Sequence, residues 1–242
     1  MKNIRVSLIV VLLIFSAVAN AQIIQSNLTS KHNLALKTGW DQTLAIGINY
    51  AYNLDSSLFK KQSNLQVEYL SPMATFYKFN SGRLSMGIQT ELFAKNSFKF
   101  YGNLFATYSW SEDVLTNIRG FGIFTSICPA FYTENGWLLG AEIAYRLKLF
   151  AYFDFTETAD DTFNDRYPNT RGSNEVPSRD GWYSFTNNRF QLSIIVNKSI
   201  SQKILLGLKL GFEHFTNDNN IILNGWIGQI PLNGNINFGY NF

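Results

Sequence analysis

Apolar and polar side chains alternate one by one along much of this chain, the period of an extended strand with two unlike faces. From residue 44 to 54 the alternation is unbroken. Leu44, Ile46, Ile48, Tyr50, Tyr52 and Leu54 share one face, and Ala45, Gly47, Asn49, Ala51 and Asn53 share the other. Leu65, Val67 and Tyr69 likewise alternate with Gln66 and Glu68, and Leu84, Met86, Ile88 and Leu92 with Ser85, Gly87, Gln89 and Glu91. Phe98, Phe100, Leu104, Tyr108 and Trp110 oppose Lys99, Asn103, Thr107 and Ser109. Trp137, Leu139, Ala141, Ile143, Tyr145, Leu147 and Leu149 oppose Gly140, Glu142, Ala144, Arg146 and Lys148. Phe190 to Val196 and Ile204 to Phe212 repeat the pattern against Arg189, Gln191, Ser193, Asn197, Gly207, Lys209, Gly211 and Glu213. Residues 33–40 and 121–131 are weaker segments, the second holding Pro129, which removes a ladder donor. The last segment, 234–242, sets Ile236, Phe238, Tyr240 and Phe242 against Asn235, Asn237, Gly239 and Asn241. The count is about ten strands. Eight follow if the Pro129 segment is no strand, and twelve if residues 220–230 add a hairpin.

Strands with one wholly apolar face need apolar surroundings on that side. The composition is 46% hydrophobic, 16% aromatic and only 15% charged, where a soluble domain carries roughly 25% charged residues. Mean hydropathy is −0.06, and beyond the first twenty or so residues no apolar run reaches the roughly 18 residues of a spanning helix, which excludes a helical membrane protein. The predicted fold is all-β, a transmembrane antiparallel up-and-down β-barrel. Connection lengths agree. Segments 55–63, 94–97, 133–136 and 198–202 fall at one end and are short. Segments 71–82, 111–120, 152–184 and 215–233 fall at the other and are long, apart from a tight turn at 41–42. An even strand count returns both termini to the short-turn end. No internal repeat, linker or second domain interrupts residues 22–242.

Residues 1–21 read as a secretory signal: Lys2 and Arg5 at the positive end, an apolar stretch over 6–18, and Ala19-Asn20-Ala21 as the cleavage site. Removing them lowers the formal net charge from +3 to +1, a balance that offers nothing to nucleic acid. Cys128 is the one cysteine, so an intramolecular disulfide is excluded. The ending Ile236, Phe238, Tyr240, Phe242 resembles the C-terminal assembly signal of bacterial outer-membrane barrels, with alternating aromatics and a terminal Phe. The resemblance implies a small porin-like protein of the Gram-negative outer membrane, with the barrel-assembly machinery, membrane lipid and lipopolysaccharide as partners.

The polar faces carry Glu68, Glu91, Glu142 and Glu213 with Lys37, Lys99, Arg146, Lys148, Arg189 and Lys209. Unpaired buried charge is costly, so both signs inside a narrow lumen predict a cross-linked network that plugs it. The expected function is then a non-enzymatic barrel whose outer loops bind a partner or ligand; a narrow solute channel is the alternative. The 152–184 loop is rich in carboxylates but lacks calcium-loop spacing. No zinc, phosphate-loop, nucleophile-elbow or cysteine motif appears, so no metal or cofactor is expected.

Two histidines are present, His32 and His214. On a strand, His214 and Thr216 point to one face, so His214 is a candidate base for the Thr216 hydroxyl, with Asn217 as an oxyanion donor. The element is similar to the His-x-Ser-Asn of outer-membrane lipid A deacylases, which implies acyl-ester hydrolysis at the outer rim as a further alternative. Thr216 stands where that family has Ser, and no Asp or Glu follows Asp218. The Asp–His couple of omptin-type proteases does not fit, because Glu213 and His214 are adjacent and face opposite ways.

Overall fold

A computed structural model describes residues 31–41, 43–54, 62–72, 80–112, 116–155, 180–184, 188–215 and 232–242. The signal segment 1–21, Thr216, Asn217 and most of the longer connections lie outside the described residues. The alternating segments form β1 (His32–Asp41), β2 (Thr43–Leu54), β3 (Ser63–Pro72), β4 (Asn80–Lys95), β5 (Phe98–Glu112) and β6 (Thr116–Tyr132). They continue as β7 (Trp137–Phe155), β8 (Gly181–Ser184), β9 (Arg189–Ser199), β10 (Ile204–Phe215) and β11 (Leu232–Asn241).

Each strand pairs with its antiparallel neighbours, β7 passing to β9, and β11 returns to β1 over Asn33↔Asn241 to Trp40↔Gly234. The result is a closed ring of ten strands. The eight- and twelve-strand alternatives are thereby excluded. The eleventh strand, β8, is an addition the alternation did not predict: it pairs with the far end of β7 beyond the reach of β9. At the seam, His32 and Phe242 exchange backbone hydrogen bonds of 3.3 and 3.0 Å, and Asn33 donates to Asn241 at 2.7 Å. Closure matters because an open edge inside lipid leaves backbone donors and acceptors unpaired.

The outward face is apolar around the whole ring. Leu36, Ile46, Met86, Leu104, Ile194 and Phe238 are exposed there. Aromatic side chains gather at both rims of this belt, Phe93, Phe98, Phe131, Trp137, Tyr240 and Phe242 at the short-turn end and Tyr69, Trp110, Phe121, Tyr152 and Trp182 at the other. An aliphatic band between two aromatic girdles is the outer surface of a transmembrane barrel. The core is the lumen, where nearly all buried side chains lie.

The turn end is built tightly. Asn96 adopts φ 52°, a conformation that asparagine tolerates, and closes β4 onto β5 in two residues. Gly136, at φ 77°, closes β6 onto β7.

Two sequence expectations need correction. Residues 111–120 are not a long connection, because β5 runs to Glu112 and β6 begins at Thr116. The outward phase of β7 does not continue through Leu149. The register slips there, Gly122 facing Lys148 while Phe121 faces Phe150, so the bulge turns Phe150 outward and Ala151 and Phe153 inward. A second bulge, at Leu92, lets Leu92 and Phe93 both face outward. As for Pro129, the β6–β7 pairing skips its position while β5 still pairs alongside, so the strand survives.

Candidate functional site

The lumen gathers the chain's polar chemistry. All four inward glutamates stand beside cations. Glu68 of β3 meets Lys37 of β1 and, at 3.5 Å, Arg83 of β4. Glu91 meets Lys99 at 2.9 Å. Glu142 of β7 meets Lys209 of β10 and accepts from the Ser126 hydroxyl at 2.8 Å. Glu213 accepts from Arg189 at 2.5 Å and from Gln191 at 2.8 Å. The Lys209–Glu142 pair reaches over the intervening strand β9, and each side chain is only 1% exposed.

Amides fill the space around these charges. Gln66 donates to Asn64 at 2.6 Å, Asn49 to Gln66 at 3.2 Å, Asn103 to Ser126 at 2.8 Å and Asn237 to Asn235 at 2.8 Å. Aromatic side chains fill the opposite side. Phe105, 2% exposed, lies edge-on to Phe124 with centroids 6.3 Å apart. It also covers Gly87, where a β-carbon would come within 2.6 Å of the Phe105 backbone, so only glycine permits that approach. Nearer the turn end Tyr101 and Tyr132 share a 2.7 Å hydroxyl contact, beside buried Cys128, Ala130 and Leu138.

Arg146 and Lys148 also face the lumen, on β7. Arg146 lies over the Phe124 ring at 5.8 Å. Among the described residues Lys148 has no ion-pair partner; its backbone N–H donates to the Asn188 side chain at 3.0 Å, fixing the strand where it passes from β9 to β8.

Sequence reasoning missed Arg83, Tyr101, Phe105 and Phe124 as lumen residues. Their place in the alternation was available: Arg83 is in phase with Ser85, and Phe105 with Asn103. Alternation alone assigns apolar residues to the lipid face, so it gives no signal for an inward aromatic.

The two histidines part company. His32 binds the Tyr50 hydroxyl through Nδ1 at 2.7 Å and stacks on Phe242 with centroids 5.4 Å apart, so it belongs to the seam. His214 is exposed on the outward face of β10 beside Phe212, while Glu213 points into the lumen toward Arg189. Its supposed partners Thr216 and Asn217 lie outside the described residues. Among the described residues His214 has no hydrogen-bond or ion-pair partner.

No protein-family profile matches the chain, and no curated protein matches it. Among solved structures the chain is similar to the outer membrane protein Omp33 of Acinetobacter baumannii, with 8% identity and a TM-score of 0.37 over 90% of this chain and all of that one. It is also similar to CdiB from Acinetobacter baumannii, with 11% identity and a TM-score of 0.24 over 88% of this chain and 60% of that one. Both overlaps are loose, and the barrel assignment stands on the strand pairing of this chain alone.

Proposed function

We propose that this protein is an exported, non-enzymatic barrel of a Gram-negative outer membrane, with a filled lumen and its longer connections outside, where they meet a partner or the lipopolysaccharide layer. The Lys209–Glu142 pair is the observation that carries the reading. Both side chains of the pair are almost fully buried, whereas a conducting pore keeps its charges wet, and this burial supports a filled lumen. The aromatic girdles and the closed seam support insertion in a bilayer, and closed barrels are the β architecture that such a setting tolerates.

Two measurements test this reading. Expressed with its own leader in a Gram-negative cell, the protein fractionates with the outer membrane; recovery in the soluble or inner-membrane fraction would refute the location. Proteoliposomes loaded with the folded barrel swell in arabinose no faster than empty liposomes. Swelling that rises with barrel content would replace the filled lumen with a channel.

A further inference from the structure

The two rims of the barrel carry opposite charge. Among the described residues outside the lumen, the short-turn end exposes Lys31, Lys95 and Lys203, with Lys198 half-buried, against the single side-chain carboxylate of Glu134. The loop end exposes Arg119 against Asp154 and Asp180, with Glu112 half-buried. Three of the four lysines lie on one arc of the ring. Lys198 lies near the end of β9, Lys203 leads into β10, and Lys31 precedes β1, which β11 joins to β10. None of the three is ion-paired among the described residues. The Lys198 ammonium donates to the Asn135 carbonyl and lies over the Trp137 ring at 5.0 Å.

The turn between Lys198 and Lys203 is pinned on both sides. Ser199 donates its backbone N–H to the Gly136 carbonyl at 2.9 Å, and the carbonyls of Gln202 and Lys203 accept from Asn241 at 2.9 and 2.8 Å. Within the turn, Ser201 Oγ accepts from the backbone N–H groups of Lys203 and Ile204 at 3.2 and 3.1 Å. A turn fixed in this way presents its side chains in set places, and Ile200, 57% exposed, stands between the two lysines. The exposed rings of Trp137 and Phe242 flank the arc. Apolar side chains interleaved with ammonium groups match the depth at which a bilayer passes from hydrocarbon to phosphate. Rings sit at the headgroup level there, and lysine stems lie along apolar surface while the charge reaches outward. A soluble acidic polymer would meet the charge and leave Ile200 and Phe242 in water.

We propose that this arc docks an anionic glycerophospholipid, with Lys31, Lys198 and Lys203 around its phosphate headgroup and Ile200, Phe242 and Trp137 along its acyl chains. The inference rests on the reading that the barrel spans a bilayer, and it adds which lipid the turn end selects. Each lysine near an anionic bilayer surface strengthens attachment several-fold. The pinned turn orders the platform before a lipid arrives, which lowers the entropic cost of docking. At the loop end the described carboxylates outnumber Arg119, so the same headgroup is repelled there rather than gathered.

The test is native mass spectrometry of the folded, full-length barrel released from neutral detergent, with dioleoylphosphatidylglycerol and dioleoylphosphatidylcholine as probes. The first phosphatidylglycerol should bind at least about fivefold tighter than the first phosphatidylcholine, the effect of one lysine at an anionic surface. The triple variant Lys31→Gln, Lys198→Gln, Lys203→Gln should lose that preference. Lys95→Gln, which removes the same charge from the β4–β5 turn outside the arc, should keep it. Heat-modifiable gel mobility confirms that each variant is folded. If the triple variant fails to fold, the comparison passes to Lys203→Gln alone, with a several-fold loss expected. Equal binding of the two lipids by the wild type, or a preference that survives in the folded variant, overturns the proposal. Lysine-dependent cosedimentation with purified peptidoglycan, in place of a lipid preference, would give the arc a different partner and also overturn it. Insertion into phosphatidylcholine vesicles keeps the two claims apart. A barrel that inserts without preferring phosphatidylglycerol loses only this docking surface, and one that fails to insert loses the membrane reading and the docking surface with it.

Discussion

The two sides of the lumen solve the same packing problem with different chemistry. β1 to β3 and β9 to β11 are 10 to 12 residues long and present mainly amides inward, among them Asn33, Asn49, Gln66, Gln191, Asn235 and Asn237. β4 to β7 are 15 to 19 residues long, carry both bulges, and present Tyr101, Phe105, Phe124, Ile118 and Phe153 inward. The amide side is held by side-chain hydrogen bonds within and between neighbouring strands, such as Gln66 to Asn64, Asn49 to Gln66 and Asn33 to Asn241. The taller side is held by ring packing over small residues such as Gly87 and Ala144. Ion pairs join the two sides, Arg83 to Glu68 at one junction and Lys209 to Glu142 over β9 at the other. A barrel interior therefore need not be uniformly polar. Amides and ion pairs fill one side and packed rings the other.

The largest effect should come from the link between the sides. Glu142→Leu leaves Lys209 buried without its partner and should cost about 3–5 kcal/mol, read as a shift in urea unfolding of the barrel in vesicles. Adding Lys209→Met should restore most of that loss. A single-variant cost below about 1 kcal/mol would mean the pair is solvated, as an exposed pair is. On the aromatic side, Phe105→Ala should cost about 3 kcal/mol or more, since the ring is buried and its Gly87 neighbour cannot fill the gap. On the lipid face, Ile194→Arg should cost about 2–4 kcal/mol in a bilayer, although Ile194 is 65% exposed in the isolated chain. No cost there would remove the membrane from the account. On the amide side, Asn237→Ala loses one hydrogen bond to Asn235 and should cost about 1 kcal/mol. A cost as large as that of Phe105→Ala would show that the amides act as one cooperative network. The smallest effect concerns the outer rim. His214→Ala should leave the lipid A mass spectrum of exposed membranes unchanged, and a lost deacylated product would make His214 catalytic.

How far the sequence carries differs between the two sides. Along β2 and β10 the alternation is regular, so Asn49 and Lys209 are assigned inward by counting alone. On β7 counting fails after Lys148, because the bulge at Leu149 shifts the phase and leaves no mark in an already apolar run. The length of β5 and β6 was hidden for a related reason: Ser111, Glu112 and Asn117 are polar residues on strands that rise past the apolar belt. The charged residues of the lumen were legible, but their pairing was not. Lys209 reaches Glu142 over β9, a contact fixed by the diameter and stagger of the closed ring rather than by neighbouring residues. Arg83 directly follows the 71–82 segment that the sequence assigns to a connection, whereas β4 begins at Asn80 and carries Arg83 into the wall.

The central claim is that the lumen is closed by charge pairs that join its two sides. Single-channel recording in planar bilayers tests it most directly, with the wild-type barrel compared with the Glu142→Ala, Lys209→Ala double variant. The wild type should give no steady open-channel current, and the double variant should give one. A steady, ohmic current from the wild type, unchanged by the double variant, would contradict the account.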